Sequence, residues 1–127
     1  MSKSASVECR VYADEKVIAS IRKVVAEKGE DYTYPPEEYV SGDVCAYLTY
    51  DEDGRPTGPS CIVGHVAVDL GINMAVLTEK EGVMANGALA FYFSNTAALA
   101  LTTAQMKQDS GASWGSALRE FERVMGQ

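Results

Sequence analysis

Cys61, His65 and Asp69 are the residues of this sequence whose types and spacing could do chemistry. At i, i+4 and i+8 they fall along one face of a helix. A neutral imidazole beside a thiol can take its proton, and a carboxylate can orient the ring. Near the start of the same helix, Cys61 would feel the positive end of the dipole, which favours thiolate. The objection is geometric. One straight helix supplies no oxyanion donors from this trio and defines no cleft. The plainer reading is that Cys61 packs as a small hydrophobe and His65 sits at a polar edge of the core. Cys61, His65 and Asp69 are therefore the catalytic candidates of a reading that is not preferred.

Adding Cys9 and Cys45 to Cys61 and His65 completes a Cys3His set, the composition of a structural zinc site. The close Cys-x-x-Cys pair that marks such sites is missing. A domain of 127 residues also folds without a metal staple. The expectation is no cofactor and no metal, with Cys9, Cys45, Cys61 and His65 as the ligand candidates. No Walker-type or dinucleotide glycine pattern is present.

A third constellation suits binding. Tyr32, Tyr34, Tyr39, Tyr47 and Tyr50 gather around Pro35-Pro36, beside Glu37, Glu38, Asp51, Glu52 and Asp53. Tyrosine offers contact area at low entropic cost with a polar tip. Tyr34, Tyr39, Tyr47, Tyr50, Glu52 and Asp53 are the partner-binding candidates. The alternative is half-buried tyrosines among solvated turns.

The elements that must position these residues follow from periodicity. Residues 1–6 read as a disordered N-terminus and residues 7–127 as one globular domain. Residues 7–12 alternate apolar and polar, which suits a short strand. A helix opens at Asp14, its N-cap candidate, carries Val17, Ile21, Val24 and Val25 on one face, and stops at Gly29. Residues 44–50 form the best strand, rich in β-branched and aromatic residues, followed by an Asp53-Gly54 turn and a short return near residues 55–58. Ser60 is the N-cap candidate for a second helix, which bears Ile62, Val63, Val66, Ala67 and Leu70 and ends at Gly71. Gly64 inside it implies a close approach by another element, the 44–50 strand or the Trp114 helix, because glycine costs roughly 1 kcal/mol against alanine there.

Thr78 and Glu81 have capping-box spacing. Residues 88–93 suit either a buried strand or a packed linker. Ser94 or Asn95 caps a third long helix reaching Asp109. Ser113 caps a fourth, whose face is Trp114, Ala117, Leu118, Phe121, Val124 and Met125; on that face Trp114 belongs to the core. The sum is an α+β fold of about four helices with a small antiparallel sheet or hairpin, closed by a C-terminal αα-hairpin.

Charge sets the remaining limits. Eighteen acids against 11 bases give a net charge of −7. Scattered bases do not make a phosphate-binding surface, so direct nucleic-acid binding is not expected. The acids show no regular double row of the kind DNA mimicry needs. No stretch approaches the roughly 18 apolar residues of a membrane helix. The polar N-terminus and odd cysteine count suit a reduced, cytoplasmic setting.

Three segments carry a family resemblance. They are Cys45-Ala46-Tyr47-Leu48 with its Asp-Gly turn, then Pro59-Ser60-Cys61-Ile62-Val63-Gly64-His65-Val66, then Ala104-Gln105-Met106-Lys107-Gln108-Asp109-Ser110-Gly111 with Trp114-Gly115-Ser116-Ala117-Leu118. In this order, over roughly residues 32–118, the chain resembles small hypothetical proteins of mycobacteriophages and related actinobacterial phages. The resemblance implies an accessory protein made in the cytoplasm of an actinobacterial host, and it transfers no catalytic residue. The expected function is a non-enzymatic, phage-type accessory protein that binds a host or phage protein and can self-associate. It would dock through residues 32–53 or through residues 88–93. The alternative is a small-molecule binder or thiol-dependent enzyme centred on Cys61, His65 and Asp69.

Overall fold

The computed structural model describes residues 12–35, 39–41 and 44–127, with backbone alone at 39–41 and 44–45. The expected disordered N-terminus and most of the residue 7–12 strand lie outside the described residues. At Tyr12 the chain is anchored by its backbone N–H, which donates to the Tyr92 carbonyl at 3.0 Å.

The fold is α+β. Among the described residues it has six helices and two two-stranded antiparallel sheets. Helix α1 (Asp14–Lys28) buries Val17, Ile21, Val24 and Val25, the stripe its apolar spacing requires, and ends at Gly29 with φ +99°. Its N-cap is Ala13. Asp14 sits in the first turn, where its carboxylate accepts the Ser94 hydroxyl at 2.7 Å.

Strands β1 (Tyr39–Ser41) and β2 (Val44–Cys45) form one sheet, β3 (Leu48–Tyr50) and β4 (Pro56–Pro59) the other. The single strand expected over residues 44–50 is thus broken at Ala46-Tyr47. The break has a cause. The Tyr47 and Leu48 N–H groups donate to the Glu81 carboxylate at 2.7 and 3.1 Å, and the Ala46 and Tyr47 carbonyls accept Cys61 and Ser60 N–H. A side chain and the approach to a helix supply the partners that a neighbouring strand would otherwise provide.

Helix α2 (Ile62–Leu70) begins one residue later than the sequence implies, with Cys61 at the N-cap, and ends at Gly71 in the left-handed region. Ser60 is not the cap: its hydroxyl is hydrogen-bonded to Tyr34 Oη at 2.7 Å. Helix α3 (Met74–Glu79) is capped by Asn73, whose side chain accepts Ala75 N–H. The Thr78–Glu81 capping box therefore does not form. Thr78 lies in the last turn and donates to the Met74 carbonyl, while Glu81 is taken by β3. Residues 88–93 are not a strand: helix α4 (Ala85–Ala88) is followed by a turn that buries Leu89 and Phe93.

Helix α5 (Asn95–Asp109) is capped by the Ser94 hydroxyl, and α6 (Trp114–Met125) by that of Ser113. These two form the C-terminal αα-hairpin. Helix α1 packs on α2 and α6, and α5 packs on α6, α4 and α2. Trp114, Tyr47, Phe121, Ile21 and Leu101 are fully buried between them. Each such side chain contributes about 1.5–3 kcal/mol through its burial.

Candidate functional site

The three catalytic candidates lie at the N-cap of α2 and along it, but face three different neighbours. Cys61, the N-cap, is fully buried in the core, a place set by the apolar run Ile62-Val63 that follows it. His65, one turn on, makes its nearest link to Cys61 through the backbone. His65 Nδ1 lies 2.9 Å from the Cys61 carbonyl oxygen, so Nδ1 carries the proton and donates. The imidazole meets the Trp114 indole edge to face, with centroids 5.2 Å apart. Burial lowers the His65 pKa below its ordinary value and outweighs the Cys61 hydrogen bond, which acts the other way. Burial therefore favours the neutral ring.

Asp69 turns toward α1. Its carboxylate accepts the Ser20 hydroxyl at 2.7 Å and the Lys23 ammonium at 2.8 Å. The Lys23 hydrogen bond, then that of Ser20, holds its pKa below the usual carboxylate value. Asp69 is thus a clasp between two helices and does not orient His65. Cys61, His65 and Asp69 share a helix without forming a relay.

An open crevice of ≈260 Å³ lies beside this clasp, lined by Tyr12, Lys16, Ser20, Lys23, Asp69 and Leu70 among others. Neither Cys61 nor His65 lines it. Of the Cys3His set, Cys9 and the Cys45 side chain lie outside the described residues. Among the described residues no group of three His, Cys, Asp or Glu side chains is arranged to hold a metal ion.

The tyrosine and acid constellation divides. Tyr34 and Tyr47 are buried, at 3% and 0% exposure, and belong to the core instead of a docking surface. Tyr34 Oη pairs with Ser60, and the Tyr47 hydroxyl donates to the Val83 carbonyl. Buried phenols must find such partners, and both do. The Tyr39 side chain is outside the described residues. Tyr50, at the surface, donates to Glu81 at 2.6 Å. Its partial burial, and then that hydrogen bond, raise its pKa. Glu52 and Asp53 are exposed in the β3–β4 turn. Only Tyr50, Glu52 and Asp53 of the six candidates therefore have described side chains at the surface.

A different stretch of the chain stands out. Between Glu81 and Lys107 the sequence carries no Asp, Glu, Lys or Arg, in a chain with 18 acids and 11 bases. Among the described residues the exposed large hydrophobic side chains are Tyr50 and four from this one stretch: Val83 (43%), Phe91 (61%), Leu99 (51%) and Met106 (60%). Leu99 and Met106, seven residues apart, lie about 20° apart around α5, one above the other. Asn95, Thr96 and Thr103 extend the uncharged part of the outer face, and Lys107, exposed at its C-terminal edge, is its one base.

The flank of α5 turned toward α4 holds the face in place. Gln105 Oε1 accepts Ala85 N–H at 2.9 Å, and Thr102 Oγ1 accepts Asn86 N–H at 2.6 Å, so α5 caps the N-terminus of α4. Sequence reasoning touched this surface only at residues 88–93. The missed signal was the long absence of charge. No helix among the described residues is long and apolar enough to cross a membrane.

The chain matches no protein-family model, no curated protein and no solved structure.

Proposed function

We propose that this protein is a non-enzymatic, phage-type accessory protein that acts by binding protein through the uncharged residues 82–106, with the outer face of α5 at their centre. One observation carries the reading: among the described residues, four of the five exposed large hydrophobic side chains come from a stretch without a single formal charge. Isolated exposed apolar residues are ordinary, but their concentration with depletion of charge is the composition of an interface centre. The separation of Cys61, His65 and Asp69 onto different neighbours supports a binding role over a thiol-dependent one. The phage context rests on the sequence resemblance alone.

The test is site-specific photocrosslinking inside an actinobacterial host. A photoreactive residue at Leu99 or Phe91 is expected to give discrete protein adducts, whereas one at Glu27, exposed on α1, gives none. Equal, diffuse labelling from all three positions would count against the proposal, as would adducts from Glu27 alone.

A further inference from the structure

We infer that the occupant of this face is a second copy of the same chain, with the two α5 helices antiparallel and Leu99 of each copy packed on Met106 of the other. The inference rests on the reading of this face as a docking surface and adds the identity of the partner.

Charge is the first argument. Each copy carries −7, so two copies repel one another over most orientations. The α5 face lets them approach without placing acid against acid, because Asn95, Thr96, Leu99, Thr103 and Met106 are uncharged and the exposed Lys107 beside them is basic. A basic partner would instead be drawn to the acids, such as Glu52 and Asp53 in the β3–β4 turn. A lipid surface is equally disfavoured. Interfacial helices use Lys and Arg around the apolar face, and Lys107 is the one base on α5.

Symmetry is the second argument. A two-fold interface needs a patch complementary to itself. Leu99 and Met106 are similar in bulk, share an azimuth and lie almost evenly about Thr103. An antiparallel pair therefore sets Leu99 on Met106 twice and brings Thr103 close to its own counterpart. The flanking charges fix the direction. Parallel helices would superpose Lys107 on Lys107 and Asp109 on Asp109. The antiparallel arrangement separates the two Lys107 positions by about 14 Å along the axis, beyond a Debye length of about 8 Å.

The experiment uses the full chain in analytical ultracentrifugation over a range of concentrations, with Leu99→Asp and Met106→Asp beside it. The wild-type weight-average mass is expected to rise toward twice the monomer value, and both variants are expected to stay monomeric with unchanged helical circular dichroism. Thr103→Cys, with Cys9→Ser and Cys45→Ser, is expected to give a disulfide-linked dimer on mild oxidation. Glu27→Cys in the same background is expected to give none. A wild-type monomer at every concentration, with adducts to another protein from Leu99, overturns the second copy and leaves the docking face standing. A monomer with no adducts overturns both. A dimer untouched by either aspartate overturns this geometry.

Discussion

The side-chain carbonyl of Gln108 accepts the backbone N–H of Ile62 at 2.9 Å, and both residues are fully buried. Ile62 is the first residue of α2, where backbone N–H groups lack partners within the helix. Gln108 lies 46 positions further along the chain. Its amide nitrogen donates to Asp109 Oδ1 at 2.8 Å. A polar side chain at the end of α5 thus satisfies the start of α2 inside the core, as Gln105 does for α4. Removing it leaves a buried donor without an acceptor, at a cost of about 1–3 kcal/mol. Gln108→Leu is expected to lose that much stability in urea denaturation followed by the emission of Trp114, the single tryptophan. A change under about 0.5 kcal/mol, the range of ordinary surface substitutions, would contradict this role.

Gly64 stands where α2 touches the broken strand. A Cβ built on it would lie 1.9 Å from the Tyr47 carbonyl oxygen, backbone atoms on both sides. No rotamer change relieves that clash, so α2 must move away from Tyr47, whose carbonyl also accepts Ser60 N–H. Gly64→Ala is expected to cost more than the ~1–3 kcal/mol typical of overpacking, despite alanine's better helix propensity. Gly58→Ala in β4 meets nothing within 4 Å and serves as the control. Similar unfolding midpoints for the two variants would refute the account.

These two contacts also mark what could be read from sequence. The apolar spacing of Val17, Ile21, Val24 and Val25 identified the buried face of α1. That of Trp114, Ala117 and Phe121 identified the core of α6. Gly64 signalled a close approach with either of two elements. Each of these is a local pattern with one physical meaning. Glu81 was misread because its spacing from Thr78 fits a capping box, while the backbone of Tyr47 and Leu48, over 30 positions away, competes for the same carboxylate. The capping roles of Gln105 and Gln108 were not legible because the backbone N–H groups they accept lie 20 and 46 positions away in the sequence. The split of the trio had the same origin: helical spacing aligns Cys61, His65 and Asp69, but Lys23 and Trp114 decide where the last two point.

The lowered His65 pKa makes stability depend on pH with a definite sign. The folded state resists protonation of this imidazole more than the unfolded chain does. Its contribution is fully present above the unfolded value of about 6.5 and is lost as pH falls toward the folded value. Asp69, also lowered, contributes stability that is present above about 3.8 and is lost below it. His65→Asn keeps a donor near the Cys61 carbonyl and removes the titration. The wild-type unfolding free energy is expected to decline from pH 7 to pH 5 more steeply than that of His65→Asn. Parallel curves would show that His65 has an ordinary pKa.

Cys61 tests the packing reading most directly. Its side chain is fully buried at the N-cap of α2, between the Ala46 carbonyl that accepts its N–H and the apolar run Ile62-Val63. A reactive thiolate sits at a partly exposed, electropositive place, whereas burial hides the sulfur from reagents. In a Cys9→Ser, Cys45→Ser background, alkylation of native protein at pH 7.5 is expected to run far slower than that of a model thiol. It should accelerate in step with the unfolded fraction as urea is added. Cys61→Ala is expected to lose about 1–2 kcal/mol of stability through the small void it leaves, while photocrosslinks from Leu99 persist. Rapid alkylation without denaturant would mean that the helix start opens to solvent, and the thiol chemistry set aside on geometric grounds would return.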